Sequence, residues 1–168
     1  MFRAEDAEGR RPMTEATTPP ARGRSGRLLA GGLVAFAAFF GLVLWWFTVF
    51  AYYRTVDGLV FVEVSGRPVP VVGYRGIDAD SSPLKMRGCF RLDPASLPDA
   101  PEAEAPAPLI APFWFGCFDA DAIGADLEAG RARAVVAERD APPGFVRIVV
   151  VYPDGRAYQW RQVAADAS

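Results

Sequence analysis

Residues 28–53, LLAGGLVAFAAFFGLVLWWFTVFAYY, carry no charged side chain, and this run limits what the chain can fold into more than any other stretch. A helix rises about 1.5 Å per residue, so a run of this length outspans the roughly 30 Å hydrocarbon core of a bilayer. Backbone groups find no water there and must bond to one another, so the run is expected to cross as a single helix. The aromatic cluster at its far end, Trp45, Trp46, Tyr52 and Tyr53, suits a membrane–water boundary. A buried helix of a soluble protein is usually shorter and keeps a polar face.

The flanks orient the span. Arg10, Arg11, Arg22, Arg24 and Arg27 lie before it, whereas only Arg54 and Arg67 lie comparably close after it. The positive-inside bias places the N-terminus in the cytoplasm and the following domain outside. A cleaved signal peptide would have an apolar region of about 7–15 residues and an A-x-A-like site, so an uncleaved signal anchor is expected. Residues 1–27 are polar and rich in Arg, Pro, Gly and Thr, the composition of a disordered tail. Within the span, Gly31/Ala35 and Ala37/Gly41 have small-xxx-small spacing, which would let two such helices approach closely and self-associate.

Residues 54–168 have room for one small domain. Runs at 59–64 (LVFVEV) and 69–74 (VPVVGY) read as two strands separated by Gly66 and Pro68. Residues 75–83 (RGIDADSSP) read as a turn, and 84–92 (LKMRGCFRL) as a strand with one solvated, basic face. Residues 93–112 form a Pro-rich loop. Residues 118–130 (FDADAIGADLEAG) carry helix signals: Asp119 as N-cap, Asp121 in the first turn, Phe118 and Ile123 at the staple positions, and Gly130 to close. Three strands are expected at 132–138, 145–152 and 157–163, the last two around the turn PDGR (153–156). The expected fold is α+β: an antiparallel sheet with one packed helix behind a membrane anchor.

The chain has no histidine. Its absence removes Ser-His-Asp and Cys-His catalysis, a phospho-accepting histidine and every His-containing zinc site. Two cysteines alone cannot complete a Cys₄ site. The net charge of −2 comes from interspersed acids and bases, so the basic stripe of a nucleic-acid binder is missing. No phosphate-cradling glycine loop is present either. In an oxidising compartment, Cys89 and Cys117 would be expected to bridge.

Asp78, Asp80 and Ser81, and separately Asp119 and Asp121, are the candidate binding groups; alternate carboxylates beside a hydroxyl are a hard-cation pattern. An EF-hand is excluded, because no Gly stands at loop position six and position twelve falls on Cys89. Turn and cap chemistry accounts for the same acids without an ion. Neither a metal nor a cofactor is therefore expected. Trp114, near a turn, is a candidate interface anchor.

The motifs IDADSSP (77–83), CF (89–90), CFDADAIG (117–124) and PDGR-x-Y-x-W (153–160) resemble, in their order, a bacterial family of membrane-anchored domains of unknown function. The resemblance runs from about Tyr52 to Trp160. It implies one N-terminal span in the bacterial inner membrane and a short periplasmic domain. Some members carry an automated histidine-kinase label, which a chain without histidine or an ATP-binding motif does not fit. The expected role is a non-enzymatic envelope interaction or assembly factor whose partners are the bilayer and another envelope protein. The alternatives are a ligand- or ion-binding sensor using the two Asp pairs, and a carboxylate-based hydrolase.

Overall fold

The computed structural model describes residues 24–140 and 142–165. The tail expected over residues 1–27 therefore lies outside the described residues up to position 23. The chain divides into two units, one ending at Leu42 and the other beginning at Val43.

Helix α1, Arg24–Trp46, runs on into a π-helical turn, Phe47–Ala51. Together they make Ser25–Ala51 an apolar helix of 27 residues, long and apolar enough to cross a membrane. The Thr48 hydroxyl donates to the carbonyls of Leu44 and Trp45. Such back-bonding competes with the helical amide ladder, and a π turn follows where it occurs.

The second unit carries eight strands: β1 Arg54–Asp57, β2 Phe61–Val64, β3 Arg67–Pro70, β4 Val72–Asp78, β5 Arg87–Arg91, β6 Arg133–Arg139, β7 Phe145–Val151 and β8 Arg156–Val163. Helix α2, Ala120–Glu128, lies between β5 and β6 in sequence. Six strands form one antiparallel sheet in the order β1-β4-β5-β8-β7-β6, and β2 and β3 pair as a separate hairpin. The fold is α+β, as expected.

The sheet is covered on both faces. On one, Val62, Val64, Val69 and Val71 of the hairpin region meet Phe90, Val135, Val149, Val151 and Ala157. On the other, Phe115, Phe118 and Ile123 meet Ile77, Ile148, Val150 and Trp160. Alternation along β7 and β8 sends successive side chains to opposite cores, so both strands read as nearly continuous apolar runs. The edge at β6 is not left open. Val136 donates its amide to Pro101, Ala103 to Ala134, and Ser65 of the hairpin turn to Ala137. Covering an edge in this way removes a template for pairing with another chain.

Helix α2 is built as its signals indicate. The Asp119 carboxylate accepts from the Ala122 amide at 3.0 Å, and Phe118 and Ile123 are buried in the same core. At the far end Gly130 donates to Leu127 and Arg131 to Asp126, the paired bonds of a Schellman close, with Gly130 at φ +67°. The β7–β8 turn needs its glycine for space: a Cβ at Gly155 would lie 2.8 Å from the Leu92 carbonyl oxygen.

Three expectations fail locally. The run at 69–74 is not one strand, because Pro70 cannot donate to a ladder; the chain leaves β3 there and re-enters the large sheet as β4, with a register shift between Val72 and Arg75. The turn expected at 75–83 begins only at Ala79; Arg75, Gly76 and Ile77 pair on both sides, with β1 and with β5, and Asp78 pairs with β1. The strand expected over 84–92 starts only after a 3-10 turn, Pro83–Lys85, and its expected basic solvated face holds at Arg91 but not at Arg87, which is 4% exposed. The strand β1 itself is a further element the sequence reading did not contain.

Candidate functional site

The π-helical turn ends the apolar helix, and the last carbonyls of any helix lack intrahelical donors. One of them is met from the folded domain: the Trp114 indole Nε1 donates to the Val49 carbonyl at 3.0 Å. Around that bond the aromatic side chains pack as a cluster. Phe50 stacks on Trp114, meets Phe113 edge-on, and lies against Trp45 and Trp46. Tyr53 meets Trp114 edge-on, and the Lys85 ammonium sits 5.2 Å from the ring centres of both Tyr52 and Tyr53. The membrane-boundary residues expected from the sequence, Trp45, Trp46, Tyr52 and Tyr53, thus form one patch with Phe113 and Trp114. Trp114 is half-buried within this patch and joined to the helix end.

The loop that carries Phe113 and Trp114 is held by Arg87. Its Nε donates to the Leu109 carbonyl at 2.7 Å and its Nη2 to that of Ile110 at 3.4 Å. Its Nη1 donates to Leu84 and Met86, each at 2.6 Å. Burial lowers the guanidinium pKa to about 10, which leaves it charged at neutral pH. No sequence signal separates Arg87 from the other basic residues of its run. Its partners are carbonyls, which carry no residue code.

A second cluster lies on the hairpin side of the sheet. Glu138, Arg147 and Arg161 stand directly opposite one another on β6, β7 and β8. Arg147 donates to Glu138 through Nε and Nη2 at 3.1 and 3.0 Å, and through Nη1 to Gln159 at 3.1 Å. Gln159 in turn donates to the Tyr74 hydroxyl at 2.6 Å. Burial raises the Tyr74 pKa, keeping the phenol neutral. Arg161 reaches Asp78 at 3.4 Å, and its Nε finds no hydrogen-bond partner among the described residues. Arg147 within the apolar run FVRIVVV was the one visible sign of this cluster.

The candidate carboxylates have structural partners. Asp78 also accepts from the Ala79 amide, and Asp80 pairs with Arg54 at 2.8 Å. Ser81 accepts from Lys85, Asp119 caps α2, and Asp121 lies exposed in the first turn of that helix. Among the described residues no group of three or more His, Cys, Asp or Glu is placed to hold a metal ion. Cys89 and Cys117 sit at disulfide distance, with Cα atoms 6.3 Å apart. Gly31, Ala35, Ala37 and Gly41 lie exposed along α1.

A family model described as a family of unknown function (DUF6446) matches residues 59–167. No curated protein and no solved structure matches the chain.

Proposed function

This chain belongs to DUF6446, a family of unknown function, and from that premise we propose that it is a single-span envelope protein whose periplasmic domain binds another envelope protein and performs no reaction. The observation that carries the reading is the exposure of three large apolar side chains in and beside the hairpin. Val60, Phe61 and Val72 are exposed, although Val62, Val64, Val69 and Val71 next to them are buried in the core. The hairpin thus satisfies the sheet with one set of side chains and leaves a second apolar set facing outward. Outward-facing aliphatic and aromatic groups are what the cores of protein interaction surfaces are built from. The carboxylates that would serve a sensor or a hydrolase are engaged in caps, turns and ion pairs instead. Orientation follows from the arginine bias of the flanks.

A photo-crosslinking amino acid at Phe61, in the full chain at its native level, tests the reading. One discrete adduct is expected from position 61, and none from Asp154 in the β7–β8 turn. An absence of adducts at 61 and 72 would remove the partner. Alkaline phosphatase joined after Ser168 should be active, and an inactive fusion beside an active cytosolic reporter would reverse the orientation.

A further inference from the structure

We infer that the folded domain makes a second contact with the bilayer, through the loop at residues 109–114, whose Ile110 and Phe113 side chains enter the lipid interface around the end of the span. The inference rests on the anchoring read above and adds a lipid-binding surface to it. Ile110 is 81% exposed and Phe113 is 74% exposed, so two large apolar side chains of one short loop stand uncovered beside the aromatic cluster. The loop is ordered because Arg87 binds its carbonyls at Leu109 and Ile110, and Trp114 binds the Val49 carbonyl. Its tip therefore presents apolar groups from a braced backbone rather than from a mobile one.

The occupant follows from what the loop is attached to. The folded unit begins at Val43, so the final stretch of the apolar helix belongs to that unit and not only to the anchor. The 27-residue helix is about 40 Å long against a hydrocarbon core of roughly 30 Å, so a centred span carries its last turn to the boundary between acyl chains and headgroups. Phe50 lies in that turn, and the Phe113 and Trp114 ring centres are 6.0 and 6.1 Å from its own. Side chains that touch Phe50 lie at the depth of Phe50. Trp and Tyr favour that depth, and apolar side chains of surface-lying segments sink about 5–10 Å into it. Lys85, stacked over Tyr52 and Tyr53, brings its ammonium beside the same rings, where a phosphate-bearing headgroup layer would meet it. A water-facing patch would have to leave Ile110 and Phe113 uncovered while their aromatic neighbours belong to the helix end. A lipid interface covers all of them together.

The test uses the full chain in vesicles of phosphatidylethanolamine and phosphatidylglycerol, with or without brominated acyl chains. An environment-sensitive fluorescent amino acid is placed singly at Ile110, at Phe40 inside the span and at Val72. Val72 lies at the opposite end of β4 from Asp78, about 20 Å along the strand. The exposed side chain of Ile110 makes its replacement tolerable to the fold. A blue-shifted probe at 110, quenched by bromolipid nearly as much as the probe at 40, is expected, with no quenching at 72. Quenching at 40 but not at 110 overturns the loop contact and leaves the anchor standing. A blue-shifted but unquenched probe at 110 means that protein, a partner or a second copy, covers the loop, and this also overturns it. An unquenched probe at 40 overturns the anchoring itself and the loop contact with it.

Discussion

Arg87→Ala should remove the brace of the 109–114 loop. The guanidinium makes three bonds of 2.6–2.7 Å, to Leu84, Met86 and Leu109, and a longer one to Ile110. A hydrogen bond to a charged group is worth about 1.5–3 kcal/mol net, and the low end applies here because the cation is itself buried. Three such bonds would give about 4–5 kcal/mol if every carbonyl stayed dry. Leu84 and Leu109 are only half-buried, so their carbonyls can recover water in the variant. The expected loss is therefore about 2–4 kcal/mol. Arg87→Lys keeps the charge but cannot reach carbonyls on two sides at once, so it should lose nearly as much. Urea unfolding of the full chain in detergent micelles, followed by tryptophan fluorescence, reads the stability. Amide exchange at 109–114 reads the loop, where protection should fall. Variants that unfold within ~0.5 kcal/mol of the parent, with unchanged exchange in that loop, would refute the brace.

Cys89→Ser should lower stability by about 2–4 kcal/mol, because chain entropy for a separation of 28 residues amounts to ~3.6 kcal/mol; an unchanged melt together with two reactive thiols in the denatured parent would refute a bridge. Asp119→Ala should cost about 0.5–2 kcal/mol through the lost cap, and Asp121→Ala less, as thermal melts of the two variants can compare. The Tyr152 hydroxyl and then Arg131 hold the Asp126 carboxyl below its ordinary value of 3.8. The folded-state value lies under the unfolded one, so this stabilisation is complete above about pH 4 and is lost as pH falls through the folded value. Tyr152→Phe should accordingly flatten the acid limb of a melting-temperature profile, and an unaltered limb would remove the coupling.

How much was legible in the sequence depended on whether a feature is local. Helix α2 could be read because its cap, staple and close all lie within thirteen positions, 118–130, and each acts on its own neighbours. The β7–β8 hairpin was equally local, with Asp154 and Gly155 setting the turn. β4 was misread because its turn-like residues sit where partner strands supply the pairing, Gly76 between β1 and β5 and Asp78 against β1, and those partners lie outside the stretch that reads as a turn. Arg87 was placed on a solvated face because alternation reports which side chains share a face and not what later covers it. The loop that buries it lies over twenty residues further on. For the candidate site, the boundary aromatics of the helix end were readable from composition. Their joining to Phe113 and Trp114 was not, since that contact spans a sequence separation of 65.

The row Glu138–Arg147–Arg161–Asp78 addresses a difficulty created by the apolar strands themselves. From Ile148 to Val151, β7 is apolar toward both cores, so hydrophobic alternation distinguishes one register from its neighbour only weakly. A slip of one residue would send Arg147 to the face that holds Ile148, Val150 and Trp160, into an apolar core and away from Glu138. In the observed register it meets Glu138 and Gln159 on the hairpin side. Arg147 and Arg161 stand directly opposite, and like charges in that relation are unfavourable. An acid at each end of the row, Glu138 at one and Asp78 at the other, offsets the repulsion without separating the strands. The arrangement adds little net stability, because desolvating ions costs much of what their attraction returns. Its effect is selective. Misregistered pairings strand a charge, so the polar row singles out one alignment among several that apolar burial would accept.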